Sequence, residues 1–223
     1  MKYITFSLWG DKPIYCVGAV KNAELAMKIY PDWICRYYCG QSTDPSCIKD
    51  LSEMENCEVV MMEDDGSWKS MFWRFYAADS DDVVISRDAD SRLNDRERDA
   101  VHEWLSSDKD FHIMRDHPWG HRHEILGGMW GARNGALRGI SKMIEDYHSH
   151  SNFMDDYMVD QNFLRDYIYP QVHEASMVHD PFFDKKPFPT NRTGRQFVGQ
   201  PFDENDNELD KSHGDSIIES GIL

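Results

Sequence analysis

Short apolar runs alternate with helical patterns through the first half of this chain, and that alternation restricts the fold more than any other feature. The apolar runs are Tyr3–Leu8, Ile34–Tyr38, Glu58–Met62, Val83–Ser86 and Phe111–Met114. The helical patterns between them are Asn22–Tyr30, Ile48–Met54, Trp68–Ala78 and Asp95–Ser106. Short strands separated by helices indicate βαβ units. We therefore expect an α/β fold with a mostly parallel central sheet flanked by helices.

The second half of the chain begins with a glycine-rich block, ILGGMWGARNGAL, at Ile125–Leu137. Helical patterns follow near Ile140–His148 and Asp156–Ile168, and Ala175–Val178 has the pattern of a late strand. Residues 1–204 are expected to form a single domain. The remaining segment, 205–223, is polar and acidic, so it is predicted to be a loosely ordered tail.

Charge and composition argue against several classes of function. The chain has 40 acidic and 24 basic residues, for a net charge of −16, whereas a nucleic-acid binder needs a basic surface. No apolar run reaches the roughly 18 residues of a transmembrane helix, so none is expected. Five cysteines without a CxxC pair favour a reduced, cytoplasmic protein over a disulfide-linked or zinc-binding one.

The fourth apolar run leads directly into two aspartates, in VVISRDADSR at residues 83–92. Ligands of open α/β sheets bind beyond the carboxyl ends of the strands, which is where Asp88 and Asp90 are expected. Two carboxylates at i and i+2 can converge on one hard cation, which prefers oxygen ligands. The same residues also suit a solvated polar turn, so the pattern alone leaves both interpretations open.

Four segments in a fixed order extend this pattern: WRFYAADSDDVVISRDADSRLNDRE, ILGGMWGARNG, DDYMVDQNFLRDYIYP and VHD. Together, over Tyr3 to Asp206, they resemble small glycosyltransferases of the GT-A fold, which carry a DxD motif. The resemblance implies a Rossmann-like nucleotide-diphospho-sugar transferase fold. It also implies a metal-dependent glycosyltransferase that moves a hexosyl or related sugar from a nucleotide-diphosphate donor. A UDP-sugar is the favoured donor, and the acceptor is a hydroxyl of a glycan or another molecule.

The resemblance also implies roles for individual residues. Asp88 and Asp90 would bind Mn²⁺ or Mg²⁺, with His179 as a third ligand. Asp160 would act as a catalytic base or hold a donor-sugar hydroxyl, and Asp156 is its rival. The residues implied to bind the nucleotide-sugar are Ser7, Leu8, Trp9, Gly10, Tyr15, Arg74, Arg87, Gly127, Gly128 and Trp130.

Several of these residues have a structural alternative. Arg74 and Arg87 would pair with the diphosphate or with the DxD aspartates, or they could form structural salt bridges. Trp130 would stack on a sugar face, or it could belong to the core. Tyr15 would stack on the base, and His179 could be an ordinary hydrogen-bonded core histidine.

Other functions stay open at this point. A non-catalytic sugar- or nucleotide-binding module and a nucleotide-sugar hydrolase would both use the same fold. A nucleotidyltransferase is less favoured, because SLWGDKP is a poor match to the glycine-rich, lysine-containing stretch that usually follows the first strand of such an enzyme. The chain is also short for this fold, which favours a partner protein that completes the acceptor site.

Overall fold

The computed structural model describes residues 1–150 and 152–222. In this part of the chain, seven strands form one sheet in the order β3-β2-β1-β4-β6-β5-β7. The strands are β1 (Lys2–Leu8), β2 (Ile34–Cys39), β3 (Cys57–Met61), β4 (Val83–Ser86), β5 (Phe111–Met114), β6 (Trp130–Ala132) and β7 (Ser176–His179). The α/β class predicted from the alternating pattern is therefore confirmed.

Helices connect the strands. The α-helices are α1 (Pro13–Ile29), α2 (Pro45–Ser52), α3 (Asp95–Leu105), α4 (Ile140–His148), α5 (Val159–Phe163), α6 (Tyr169–Val172) and α7 (Lys211–Ser220). Trp68–Asp79 and His173–Ala175 are 3₁₀-helical, and Leu164–Ile168 is π-helical. Within the described ranges, no helix is long and apolar enough to cross a membrane.

The sheet is parallel except at one strand. β1 pairs in parallel with β2 and β4, β2 with β3, and β5 with β7. β6 is antiparallel to both of its neighbours, β4 and β5. The sequence did not predict β6, since it is three residues long and lies inside the glycine-rich block, where no periodicity can develop.

The sheet is covered on both faces. Tyr3 and Val84 belong to one apolar cluster, whereas their neighbours Ile4 and Ile85 belong to a second. Successive side chains of a strand point to opposite faces, so β1 and β4 read as continuous apolar runs because both faces are buried. Trp130, on β6, is fully buried and stacks on Phe111 at 5.5 Å. The prediction that Trp130 stacks on a sugar is therefore wrong.

The C-terminal segment differs from the loosely ordered tail that its composition predicts. Residues 205–222 include α7, which packs back on the domain; Leu223 lies outside the described residues. Trp119 Nε1 donates to Ser216 Oγ at 2.8 Å, and Arg195 donates to the Lys211 carbonyl at 2.6 Å. Ile217 is fully buried. A few apolar residues in a polar segment are enough to dock a helix when a complementary surface exists.

This docking predicts a large effect on stability for one of two adjacent isoleucines and a small effect for the other. Ile217→Ala should lower the free energy of unfolding by about 2–4 kcal/mol, because it empties a buried site. Ile218 is 55% exposed, so Ile218→Ala is the matched control and should change stability little. Urea unfolding of both variants measures the difference. Equal, small effects would show that α7 does not contribute to the folded domain.

Candidate functional site

Two aspartates from distant parts of the chain bind one arginine, and a third, Asp90, lies close enough for its charge to interact with both Asp88 and the arginine. The Arg74 guanidinium donates to Asp88 Oδ1 and, at 2.9 Å, to Asp160 Oδ2. Asp88 follows β4 and Asp160 lies on α5, while the Arg74 amide donates to Ser7 Oγ, near the end of β1, at 3.0 Å. The cluster therefore lies at the carboxyl ends of β1 and β4, where open α/β sheets bind ligands.

The cluster carries more negative than positive charge. Burial and the neighbouring Asp88 raise the pKa of Asp90 to about 6. Burial also raises the pKa of Asp160, and the Asp88 charge adds to this against the opposing effect of Arg74. Among the described residues, no ion pair joins Asp90 to a basic side chain. A cation at this position would relieve the repulsion between the carboxylates.

Two glycines allow the chain to approach the aspartates. A Cβ at Gly128 would overlap Asp88 Oδ2, and one at Gly127 would overlap Arg74 and lie 2.7 Å from Asp160 Oδ2. Gln161 fixes this loop: its Oε1 accepts from the Gly127 amide at 3.2 Å, and its Nε2 donates to the Ile125 carbonyl. The sequence indicated both glycines. It gave no role to Gln161, although the DQ pair in DQNFL was visible.

Substitution of Gly128 should perturb the site more than the fold. Gly128→Ala displaces the Asp88 carboxylate, and we expect binding of the nucleotide-sugar donor implied by the sequence resemblance to weaken about tenfold or more, the equivalent of ~1.4 kcal/mol. Gly131→Ala is the control, since its Cβ would press on Trp104 and Ile85 in the core. It should lower the melting temperature while the folded protein binds donor normally. Calorimetry and thermal unfolding separate the two effects, and unchanged donor affinity in Gly128→Ala would contradict the assignment.

Exposed aromatic side chains border the acidic cluster. Burial, together with the charges of Asp90 and Asp88, raises the pKa of the Tyr15 hydroxyl. Tyr157 is 67% exposed and meets Trp68, which is 43% exposed, edge to face at 5.3 Å. Trp9 packs over Gly66. Trp68 and Tyr157 were not predicted, because nothing in the local pattern separates a site-bordering aromatic residue from a core one.

The residues present fit a hard divalent cation. Asp88 is 43% exposed at its side chain and keeps Oδ2 free of Arg74, while Asp90 is half-buried beside it. The described residues contain no group of three or more His, Cys, Asp or Glu side chains arranged to hold a metal. Two carboxylates are nevertheless a common protein contribution to Mg²⁺ sites, where phosphates and water complete the coordination.

His179 is engaged elsewhere. It is buried at the end of β7, with Nδ1 2.8 Å from His112 Nε2 and Nε2 3.2 Å from Glu103 Oε2. Both ring nitrogens are thus used in an internal network that does not include the aspartates. The prediction that His179 completes the metal site is corrected to its structural alternative.

Arg87 also has a structural role. Its Nε donates to Glu97 Oε1 at 3.0 Å and its Nη1 donates to the Ser86 carbonyl at 2.7 Å. Both Arg87 and Glu97 are almost completely buried. The guanidinium therefore cannot reach a diphosphate in the open cleft, and the predicted ligand role of Arg87 is wrong.

The loop after β1 contributes less than predicted. Ser7 Oγ is occupied by the Arg74 amide and the Met71 carbonyl. The Leu8 side chain is in the core, and its carbonyl accepts from Gly40 and Thr43. These two residues support the site from behind instead of lining it.

Two other residues predicted to belong to the site, Gly10 and Asp156, lie in different surroundings. Gly10 has φ +72° and open space around it, so a ligand can approach its backbone closely. Asp156 is exposed and lines a separate cavity with Tyr147 and His150. Asp156 is therefore not part of the three-aspartate cluster.

The chain is similar in structure to several solved proteins. A glycosyltransferase involved in glycosylation of the major capsid of PBCV-1 matches with a TM-score of 0.51 and 16% identity, over 80% of this chain and 81% of that one. A mannosyltransferase from Pyrobaculum calidifontis, in complex with GDP-Man and Mn²⁺, matches with a TM-score of 0.51 and 14% identity, over 82% and 55%. A Bacillus anthracis protein described as a glucose-1-phosphate thymidylyltransferase, in complex with sucrose, matches with a TM-score of 0.51 and 11% identity, over 80% and 86%.

These similarities bear on the fold. No protein-family model matches the chain, and no curated protein is similar to it in sequence. The GT-A, Rossmann-like fold implied by the sequence resemblance is confirmed by the matches in structure. At these identities the fold does not decide the reaction, because sugar transfer and nucleotidyl transfer are both represented on it.

Proposed function

We propose that this chain is a metal-dependent glycosyltransferase that uses a nucleotide-diphospho-sugar donor, with a UDP-sugar favoured. One observation carries the proposal: Arg74 binds Asp88 and Asp160, with Asp90 close enough to feel the Asp88 charge, against a glycine loop that leaves no room for a side chain. Such a cluster, at the ligand-binding end of the sheet, suits the charge of a cation and a diphosphate together. The acceptor in this proposal is a glycan or another hydroxyl compound.

The proposed mechanism assigns separate tasks to these residues. Asp88 and Asp90 would hold Mn²⁺ or Mg²⁺, which would neutralise charge on the departing diphosphate. Arg74 holds Asp88 and Asp160 in position through its two ion pairs. Asp160 is 2% exposed, so it is better suited to binding a donor-sugar hydroxyl than to exchanging protons with solvent. Gly127 and Gly128 let the loop pack closely against these three side chains.

The nucleotide would lie toward β1. Tyr15 offers a ring beside the aspartates, and Gly10 offers open space on the side where other residues carry a Cβ. Trp9 adds an aromatic surface next to Gly66. An aromatic ring is a surface on which a nucleobase can stack.

Product analysis tests the reaction class. The protein is incubated with Mn²⁺, UDP-, GDP- or dTDP-sugars and a panel of glycans. The proposal predicts a nucleoside diphosphate and a glycosylated acceptor. Release of diphosphate with free sugar alone would identify a hydrolase. Pyrophosphate formed from a nucleoside triphosphate and a sugar phosphate would identify a nucleotidyltransferase, and no turnover with any substrate would favour a binding module.

Two further proposals concern the setting of the protein. All five cysteines are free thiols, which agrees with a reducing, cytoplasmic environment. A partner protein could supply acceptor contacts that this short chain does not provide. Activity in a purified sample that requires an added cell fraction would support the partner, and full activity of the isolated chain would contradict it.

A further inference from the structure

Asn22 joins helix α1 to the backbone of the DxD turn, residues 88–91. Its side chain is fully buried. Its Nδ2 donates to the Ala89 carbonyl at 3.3 Å and to the Ser91 carbonyl at 2.8 Å, and its Oδ1 accepts from the Leu93 amide at 3.0 Å. Asparagine is an unfavourable residue inside a helix. These three hydrogen bonds, all to the segment that carries the DxD aspartates, account for its presence there.

Gly18 allows α1 to approach the turn closely. It lies four residues before Asn22, so the two residues share one face of the helix. A Cβ at Gly18 would lie 2.2 Å from the Ala89 carbonyl oxygen, a distance at which the two atoms overlap. Ala89 separates the two aspartates in the sequence. A side chain at position 18 would therefore push the middle of the DxD turn away from the helix.

Two further contacts complete the support of the turn. The Asp90 carbonyl accepts from the Phe202 amide at 2.8 Å, and the Asp88 carbonyl accepts from Ser91 Oγ at 2.8 Å. Together with the bonds from Asn22, every carbonyl of the turn accepts a hydrogen bond from the protein. Water alone can satisfy the carbonyls of a surface turn, so solvation does not require this arrangement. It fixes the backbone from which the two carboxylates extend.

We propose that Asn22 is a positioning residue for the cation, acting through the backbone that carries its ligands, and that Gly18 sets the distance between this backbone and α1. The inference rests on the proposed function, which makes Asp88 and Asp90 the metal ligands. A primary amide suits the task because it donates and accepts at the same time. Replacing a residue that orients metal ligands typically weakens metal binding about 10–100-fold.

The metal requirement of nucleotide binding tests this role without a measurement of turnover. UDP, GDP and dTDP are titrated by calorimetry into each protein over a range of Mn²⁺ concentrations and in EDTA. Asn22→Leu keeps a similar side-chain shape but makes none of the three hydrogen bonds. The Mn²⁺ concentration that gives half-maximal nucleotide binding should rise about 10–100-fold in this variant.

A second asparagine beside the same helix supplies the matched control. The Asn56 amide donates to the Ala23 carbonyl of α1 at 2.9 Å, instead of to the turn. Asn56→Leu should therefore lower the melting temperature, as Asn22→Leu does, but leave the Mn²⁺ requirement as in the wild type. A rise of the same size in Asn56→Leu would contradict a specific role of Asn22, because any disturbance of α1 would then have this effect.

Gly18→Ala decides the question if Asn22→Leu does not fold. Alanine favours a helix more than glycine does, and Asn22 is retained, but the new Cβ displaces the Ala89 carbonyl. The Mn²⁺ requirement of Gly18→Ala should rise about tenfold or more, and a wild-type requirement would contradict the positioning role.

The outcomes separate this inference from the proposed function. If Asp88→Asn/Asp90→Asn loses metal-dependent nucleotide binding while folded Asn22→Leu keeps the wild-type Mn²⁺ requirement, the positioning role is overturned and the proposed function stands. If the wild type binds no nucleotide, or binds it equally well in EDTA, the proposed function fails and this inference fails with it.

Discussion

Replacement of both Asp88 and Asp90 by Asn should reduce sugar transfer at least about 10³-fold. The two carboxylates are the proposed protein ligands of the cation, and a catalytic metal contributes several kcal/mol of charge stabilisation. A loss of about 4 kcal/mol corresponds to this factor. Release of nucleoside diphosphate, measured at saturating metal, gives the rate.

The same double variant should remain folded. Asp88 is partly exposed, and the repulsion between the two carboxylates, which helps to raise the pKa of Asp90, is removed by substitution. Its melting temperature should therefore lie close to that of the wild type. Asp156→Asn is the matched control, because it changes an exposed aspartate outside the cluster. It should retain activity. Wild-type turnover in the double variant would contradict the proposed role of the DxD pair.

Arg74→Met should destabilise the fold by about 3–5 kcal/mol. Arg74 and Asp160 have side chains that are 5% and 2% exposed, and their Nη2–Oδ2 distance is 2.9 Å. Removing the cation leaves the Asp160 carboxylate buried without its partner, which is far more costly than the net value of the ion pair. The melting temperature should fall by about 6–20 °C.

A second substitution separates the charge effect from loss of packing. In Arg74→Met/Asp160→Asn the unpaired buried charge is gone, so much of the lost stability should return while donor binding remains weak. Arg138→Met removes an exposed partner of Asp81 and is the control, since exposed ion pairs contribute little. Urea unfolding of the wild type, Arg74→Met, Asp160→Asn and the double variant gives the coupling energy. If the double variant is as unstable as Arg74→Met, the effect arises from packing.

Local patterns explain why the sheet and the DxD turn could be predicted. β1 and β4 are buried on both faces, so each is a continuous apolar run in the sequence. Asp88 could be located because it comes just after the end of β4. The start of α1 could not be placed in the same way. The prediction began this helix at Asn22, but it begins at Pro13, because β-branched and glycine residues hide the period of its first turns.

Tertiary pairings explain most of what could not be predicted. Arg74 and Asp160 are 86 residues apart, and nothing local links them. Arg87 and Asp88 are adjacent, yet Arg87 turns inward to Glu97 while Asp88 meets the cleft. Asp116 is a further example. The sequence predicts an ordinary loop residue, but the Asp116 side chain is fully buried between Arg96 and Arg192. Which partner a charged residue finds depends on the packing of distant segments.

Donor binding measured by calorimetry tests the central claim most directly. UDP-, GDP- and dTDP-sugars are titrated into the wild type with Mn²⁺ and with EDTA, and into Asp88→Asn/Asp90→Asn with Mn²⁺. The proposal predicts that one donor binds the wild type only when the metal is present and does not bind the variant. Equal donor binding in EDTA, or in the variant, would contradict a cation held by Asp88 and Asp90.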